Sequence, residues 1–219
     1  MEPSQIIPIV FGLVALVNIG ASANEKKNKN IIYLTKPLLM PLLISYHVLG
    51  SPEVNFWLVG ALVGGFFGDV FLMLPGEKEH NFLLGLVAFL INHVLYIVIF
   101  IAAILDFELI PVWLYFCGLP YFVFCFFYYR LLAPGLGEMK IPVIVYITVI
   151  LCMGVSALLR LPFVTPLSFW LVAGGAFVFI TSDSVLAFCK FKRELRLGHM
   201  TVMATYLAAQ FMITQGLMF

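Results

Sequence analysis

Residues 82–104 read FLLGLVAFLINHVLYIVIFIAAI, a run without Asp, Glu, Lys or Arg and with His93 as its one titratable interruption apart from Tyr96. A helix needs about 20 apolar residues to cross roughly 30 Å of hydrocarbon, and this run is long enough. Comparable runs lie on either side of it, at 4–23, 31–49, 55–74, 109–130, 141–160, 166–189 and 198–218, each bounded by charge, Pro, Gly or Asn. Together the eight runs use nearly all of the chain, so the loops are short and no soluble domain fits between them. No alternation of short segments signals a closed barrel, and helices are then the way to satisfy the backbone in lipid. The expectation is an all-α, polytopic membrane protein with eight transmembrane helices, in a single integral membrane domain over residues 1–219.

Composition agrees. Of 219 residues, 63% are hydrophobic and 11% are charged, against roughly 25% charged in an ordinary soluble domain. A soluble chain of this length could neither hide that much apolar surface nor coat itself with so little charge. Disorder is excluded by the same numbers. A net charge of +1, with no large basic patch, gives no reason to expect nucleic acid as a partner. Cys117, Cys125, Cys152 and Cys189 form no C-x-x-C pair, and they read as small buried hydrophobes rather than a disulfide framework or zinc ribbon.

Loop charges set the expected orientation. Loops after the first, third, fifth and seventh runs carry Lys26, Lys27, Lys29, Lys78, Arg130, Lys140, Lys190, Lys192, Arg193 and Arg196. The opposite side has Arg160 as its one basic residue, with Glu2, Glu53, Asp106 and Glu108. The positive-inside rule then puts both termini on the non-cytoplasmic side. Ala21-Ser22-Ala23 resembles a signal-peptidase site, but Met1-Glu2-Pro3 offers no basic region ahead of the apolar run. The first run therefore reads as a retained helix.

Ionisable groups inside a membrane helix are costly, and each is a functional-site candidate. Lys36 falls in the second run, Asp69 in the third, His93 in the fourth and Asp183 in the seventh; Tyr146 falls in the sixth, and Tyr206 and Gln210 in the eighth. Counted from the lysine-rich ends, Lys36, Asp69, Tyr146 and Asp183 lie at a common depth of about 9–10 Å. His93 and Gln210 come out deeper, at about 18 Å, with Tyr206 between the layers at about 12 Å. Lys36 could snorkel to the surface or pair with an aspartate; the aspartates are too short to reach the headgroups. His47, His80 and His199 read as interfacial or loop residues.

Small residues precede both acids, Gly60, Gly64, Gly65 and Gly68 before Asp69, and Ala173-Gly174-Gly175-Ala176 before Asp183. They let neighbouring helices approach closely. Gly60/Gly174, Asp69/Asp183 and Leu72/Leu186 fall in register, which raises a four-plus-four internal duplication as an expectation. Ser182 and Ser184 flank Asp183, but adjacent helix positions do not face the same way. With His93 alone at depth and no H-E-x-x-H, G-x-S-x-G, Walker or dinucleotide motif, the sequence suggests neither a metal nor any other cofactor.

Taken in order, Lys36-Pro37 with Leu38-Leu39-Met40-Pro41, Gly68-Asp69-Val70-Phe71-Leu72-Met73-Leu74-Pro75, Gly85–Leu90 leading to His93 and Tyr96, Ser182-Asp183-Ser184, Tyr206 and Gln210 resemble the YhhN-like lysoplasmalogenase family. The resemblance spans nearly the whole chain and implies eight membrane helices. It departs locally where Leu207-Ala208-Ala209 precedes Gln210. The resemblance further implies hydrolysis of the sn-1 vinyl ether of lysoplasmalogens to a fatty aldehyde and a glycerophospho-ethanolamine or -choline. Asp69 and Asp183 match the family's paired intramembrane acids. Bacterial members reside in the inner membrane and animal members in internal membranes.

That chemistry suits the residues. A vinyl ether resists nucleophiles but yields an oxocarbenium ion once its terminal alkene carbon is protonated, much as paired carboxylates serve a glycosidase. A low dielectric keeps one carboxyl neutral, while a charged partner such as Lys36 keeps the other ionised; the order of roles is left open. Lys36, His93, Tyr96, Tyr146, Ser182, Tyr206 and Gln210 are the supporting or substrate-binding candidates. A lysophospholipid's phosphate would take Lys36 or the Lys190–Arg196 cluster, and its chain would lie among the phenylalanines between helices. The alternative is a proton-coupled transporter of a small amphiphile, for which a mid-helix break at Pro120 would be the signature. A non-catalytic lipid-binding scaffold has no need of two buried acids.

Overall fold

The computed structural model describes residues 3–75 and 78–219. Met1 and Glu2, which enter the reading of the amino-terminal segment, lie outside them. The described residues form helices α1 (Pro3–Ser22), α2 (Lys29–Gly50), α3 (Phe56–Met73), α4 (Lys78–Ala102), α5 (Val112–Phe116), α6 (Leu119–Leu132), α7 (Lys140–Leu159), α8 (Pro166–Phe191) and α9 (Gly198–Gly216), with short 3-10 turns at Phe107–Leu109, Ala133–Gly135 and Gly137–Met139. No strand occurs among the described residues.

Among the described residues, seven segments are long and apolar enough to cross a membrane, with α5 and α6 counted together. The eighth, α9, is more polar, but its Gln210 and Thr214 are fully buried, so neighbouring helices rather than lipid receive those groups. The architecture fits an integral, multi-pass membrane protein.

Local sequence sets the helix ends. The Asn55 side chain accepts hydrogen bonds from Trp57 and Leu58 backbone N–H at 3.0 and 3.2 Å and starts α3. Thr165 caps α8 in the same way through Ser168 N–H at 3.2 Å, with Pro166 in the first turn. These caps satisfy donors that a helix start leaves unpaired. The fifth expected span is not continuous: it breaks at Cys117 and Gly118 between α5 and α6. Pro120 has no N–H to continue the ladder and sits in the first turn of α6, where its fixed φ suits a helix start. The break lies on a segment without a carboxylate, lysine or histidine.

Helices α1, α2, α3, α4, α7, α8 and α9 pack each against the next, and α9 closes on α1. Helix α2 also meets α9 across this ring. Its interior holds Leu39, Met40, Leu43, Tyr96, Phe100, Met153 and Phe179, all with essentially no exposure. Helices α5 and α6 lie outside the ring, mainly on α7. The outward faces are apolar instead of charged: Leu16, Leu34, Ile141 and Trp170 are each at least 68% exposed. That inversion is expected where the solvent is lipid.

Glycines decide how closely the ring closes. A Cβ at Gly64 would sit 3.1 Å from the Ala88 carbonyl oxygen on α4, and one at Gly175 would sit 3.2 Å from the Ala209 carbonyl oxygen on α9. Asn92 Nδ2 donates to the Ala61 carbonyl at 2.5 Å and ties α3 to α4. Asn18 Nδ2 donates to Thr35 Oγ1 at 2.8 Å and ties α1 to α2.

The cysteines correct one expectation. Cys125 is buried, but Cys117 and Cys152 are exposed and Cys189 is intermediate; all four are free thiols. Cys117 stands at the helix break and Cys152 on an outward face of α7. Lipid accepts a thiol there as readily as a protein core does.

Candidate active site

Lys36 points from α2 to Asp69 on α3, with Nζ 3.2 Å from Oδ1; the two side chains are 11% and 2% exposed. Pairing, not snorkelling, is what this lysine does. Tyr206 of α9 lies close to the same carboxyl, with its hydroxyl donating to Met40 Sδ at 3.4 Å. Gly65 makes room: a Cβ there would meet Tyr206 Oη at 2.9 Å and Gln210 Nε2 at 3.0 Å. Gly68 similarly accepts the Phe89 ring, which would stand 2.7 Å from an added Cβ. Gln210 Nε2 approaches Tyr206 Oη at 3.4 Å, and Tyr96 donates its hydroxyl hydrogen to Gln210 Oε1. Three helices thus hold a polar chain that leads from Tyr96 to Asp69.

Asp183 of α8 has different company. Tyr146 of α7 donates its hydroxyl to Oδ2 at 2.5 Å. His93 of α4 brings Nε2 to 3.6 Å from the same oxygen. Its other nitrogen lies 2.6 Å from the Phe89 carbonyl oxygen. A carbonyl only accepts, so Nδ1 carries the hydrogen and Nε2 is left to face the acid. The Phe179 ring lies 4.6 Å from the His93 ring and 5.5 Å from that of Tyr206. Phe179 is therefore a common neighbour of the two polar groups. Asp69 Oδ2 and His93 Nε2 are both buried acceptors without a protein donor.

The position of His93 corrects the depth arithmetic, which set it about 9 Å from the aspartates. Side chains on a helix lean toward its N-terminus. Helix α4 rises from the lysine-rich end and α8 descends to it, so His93 and Asp183 lean toward each other. The approach lies in the side chains and not in the Cα levels.

Ser182 does not join the site. Its Oγ donates to the Val202 carbonyl at 3.0 Å and ties α8 to α9 on the face away from Asp183. His47 binds the Asn55 N–H and Ser51 Oγ, both at 2.9 Å, and holds the α2–α3 turn. His199 pairs with Glu25 at 3.0 Å on the surface. Among the described residues, no cluster of three His, Cys, Asp or Glu could hold a metal ion.

A cavity of about 60 Å³ borders Asp183 and Tyr146, walled by Leu72, Phe89, Phe124, Tyr128, Ile180 and Ser184 among others. Asp69 is not in its wall. Sequence reasoning does not single out Tyr128, whose hydroxyl donates to the Ser184 carbonyl and links α6 to α8. A tyrosine near a helix end reads as an interfacial anchor, which concealed this role.

The model of the YhhN family matches residues 31–217. The chain belongs to the YhhN family. The matched interval contains Lys36, Asp69, His93, Tyr96, Tyr146, Asp183, Tyr206 and Gln210, so the whole polar constellation of this YhhN-family chain lies inside it. No solved structure matches the chain.

Proposed function

We propose that this chain is a membrane hydrolase of the lysoplasmalogenase type, cleaving the sn-1 vinyl ether of an alkenyl-glycerophospholipid. The observation that carries the reading is the unlike setting of the two buried acids. Asp69 has a lysine for counter-ion. Asp183 has a tyrosine donor and a facing imidazole, and it borders an apolar cavity. Unequal surroundings are how two carboxyl groups come to hold one proton and one charge.

Asp183 is the acid in this scheme. Its O–H bond breaks as the hydrogen passes to the alkene carbon remote from oxygen, which leaves an oxocarbenium ion at the carbon bearing oxygen. Asp69, kept anionic by Lys36, offsets that charge. Water adds to the cationic carbon, and its proton passes to one of the two donorless acceptors, Asp69 Oδ2 or His93 Nε2. The hemiacetal then breaks its bond to the glycerol oxygen, which takes the proton held by that acceptor, while the hemiacetal hydroxyl gives its hydrogen to the Asp183 carboxylate and restores the acid. One water is consumed, and a fatty aldehyde and a glycerophospho-alcohol leave. Tyr146, Tyr206, Gln210 and Tyr96 fix the carboxyl groups and need not touch substrate. The lysine-rich end, by loop charge, is the cytoplasmic one.

Purified protein in detergent, given lysoplasmalogens of differing headgroup and chain, is expected to release aldehyde without an ion gradient. No aldehyde from any of them, with gradient-dependent lipid uptake in proteoliposomes instead, would overturn the reading in favour of a transporter.

A further inference from the structure

Helix α6 is the least buried of the long helices, with Phe122, Val123, Phe126 and Phe127 each more than half exposed. It meets α8 at Tyr128, whose hydroxyl donates to the Ser184 carbonyl, and makes little other contact with it. Between them runs an open groove of about 890 Å³, lined by Cys117, Pro120 and Tyr121 at one end and by Phe188, Arg193 and Leu195 at the other. From Phe177 to Phe188 it follows α8 for about 16 Å. Its volume lies in the range of about 300–1,000 Å³ that small-molecule sites occupy.

Two features distinguish this groove from a plain lipid-facing crevice. Phe124, Tyr128, Ile180 and Ser184 line both it and the small cavity beside Asp183, so one layer of side chains separates them. The groove also ends on a cation. The Arg193 guanidinium lies 5.9 Å from the centre of the Phe188 ring, which places it near the mouth. Lys36, the other claimant for a phosphate, is committed to Asp69. Phe188 is five positions beyond Asp183, about 8 Å along the helix, a spacing suited to a glycerol backbone between a phosphate and the reacting bond.

We infer that the α6–α8 groove is the entry and chain-binding subsite for a single-chain phospholipid, with its phosphate on Arg193, its glycerol beside Ser184 and its hydrocarbon chain running toward Cys117. This assignment rests on the proposed reaction for its substrate class. Arginine suits the phosphate because its planar fork can donate two hydrogen bonds to neighbouring oxygens. Thr181, exposed within the groove and absent from the wall of the small cavity, is the position at which added bulk obstructs the chain.

The test uses an alkyl-ether lysophospholipid with a photoreactive group near the chain end. It cannot be cleaved, so labelling does not depend on turnover. With the full-length protein in nanodiscs, mass spectrometry is expected to place the label within residues 117–128 and 177–188. Arg193→Gln should weaken labelling about tenfold, the effect of losing a charged hydrogen bond. Thr181→Trp should abolish it for a long chain and spare a short one. Label spread evenly over the exposed faces of α1, α2 and α4 would overturn the assignment. So would wild-type labelling in both variants, or equal competition by a two-chain phospholipid. Labelling confined to the groove, in a protein that releases no aldehyde from any vinyl ether, would uphold the subsite and defeat the reaction.

Discussion

His93 Nε2 stands 3.6 Å from Asp183 Oδ2, and neither side chain has a formal counter-charge other than the one they could give each other. The imidazole is fully buried and is held in place by the Phe89 carbonyl at its other nitrogen. A hydrogen moving between that carboxyl and that ring would not need to cross open solvent. The relationship joins α4 to α8.

Asp183→Asn keeps the shape of the side chain and an acceptor for Tyr146, but it removes the transferable proton. Aldehyde release is expected to fall by about 10²–10⁴-fold, the usual worth of a placed acid, while thermal stability in detergent stays close to wild type. Turnover unchanged by this substitution would remove Asp183 from the chemistry.

Asp69→Asn acts on stability as well as rate. It leaves Lys36 without its partner in a nearly buried site, and breaking such a pair costs roughly 3 kcal/mol or more. The melting temperature is expected to fall together with activity. Adding Lys36→Met should recover the melting temperature but not the aldehyde. Recovery of both would reduce the ion pair to a structural role.

Tyr146→Phe removes the hydroxyl that donates to Asp183 and keeps the ring on His93, 5.4 Å between centroids. A drop of about tenfold in kcat with KM nearly unchanged is expected, in line with one lost charged hydrogen bond. A change confined to KM would place Tyr146 in substrate binding instead.

Gly68→Ala tests how tightly α3 and α4 must close next to Asp69. The new methyl would stand 2.7 Å from the Phe89 ring, and overpacking of this kind costs about 1–3 kcal/mol. Thermal denaturation should show the loss, and Phe89→Leu in the same chain should restore much of it.

At the opposite end of the bundle, Arg160 is 3% exposed. One hydrogen bond holds it, from Nη2 to Ser168 Oγ at 3.2 Å, while Nε and Nη1 have no partner. Ser168 in turn donates to the Gly216 carbonyl at 2.6 Å. Arg160→Met should leave the melting temperature nearly unchanged or raise it, because the desolvated charge goes with the side chain. Ser168→Ala should lower it by the equivalent of about 1–3 kcal/mol, since partners on two helices are left unpaired.

Much of this was legible before any coordinates. Helical rise put Lys36 and Asp69 at one level, which left snorkelling and pairing both open for the lysine; the structure shows the pair. Pro120 marked the break in the fifth span. The meeting of His93 with Asp183 was not legible from depth, because antiparallel helices tilt their side chains toward each other. Nor was the burial of Arg160, since a residue between two spans reads as a loop until the turn folds back over it. The groove depends on α6 meeting α8 at Tyr128 and little else, and the mostly apolar run of α6 carries no pattern that says which side is left open.

The cavity beside Asp183, at about 60 Å³, has room for a few water molecules and not for a glycerol backbone. For lipid to reach the acid, α6 has to yield at the point where Tyr128 fastens it to the Ser184 carbonyl. In a bilayer the apolar outer face of α6, with Phe122, Val123, Phe126 and Phe127 more than half exposed, would move against acyl chains. If the proposed reaction holds, aldehyde release is expected to be slow in a gel-phase bilayer and faster in a fluid one, with an Arrhenius plot that bends where the host lipid melts.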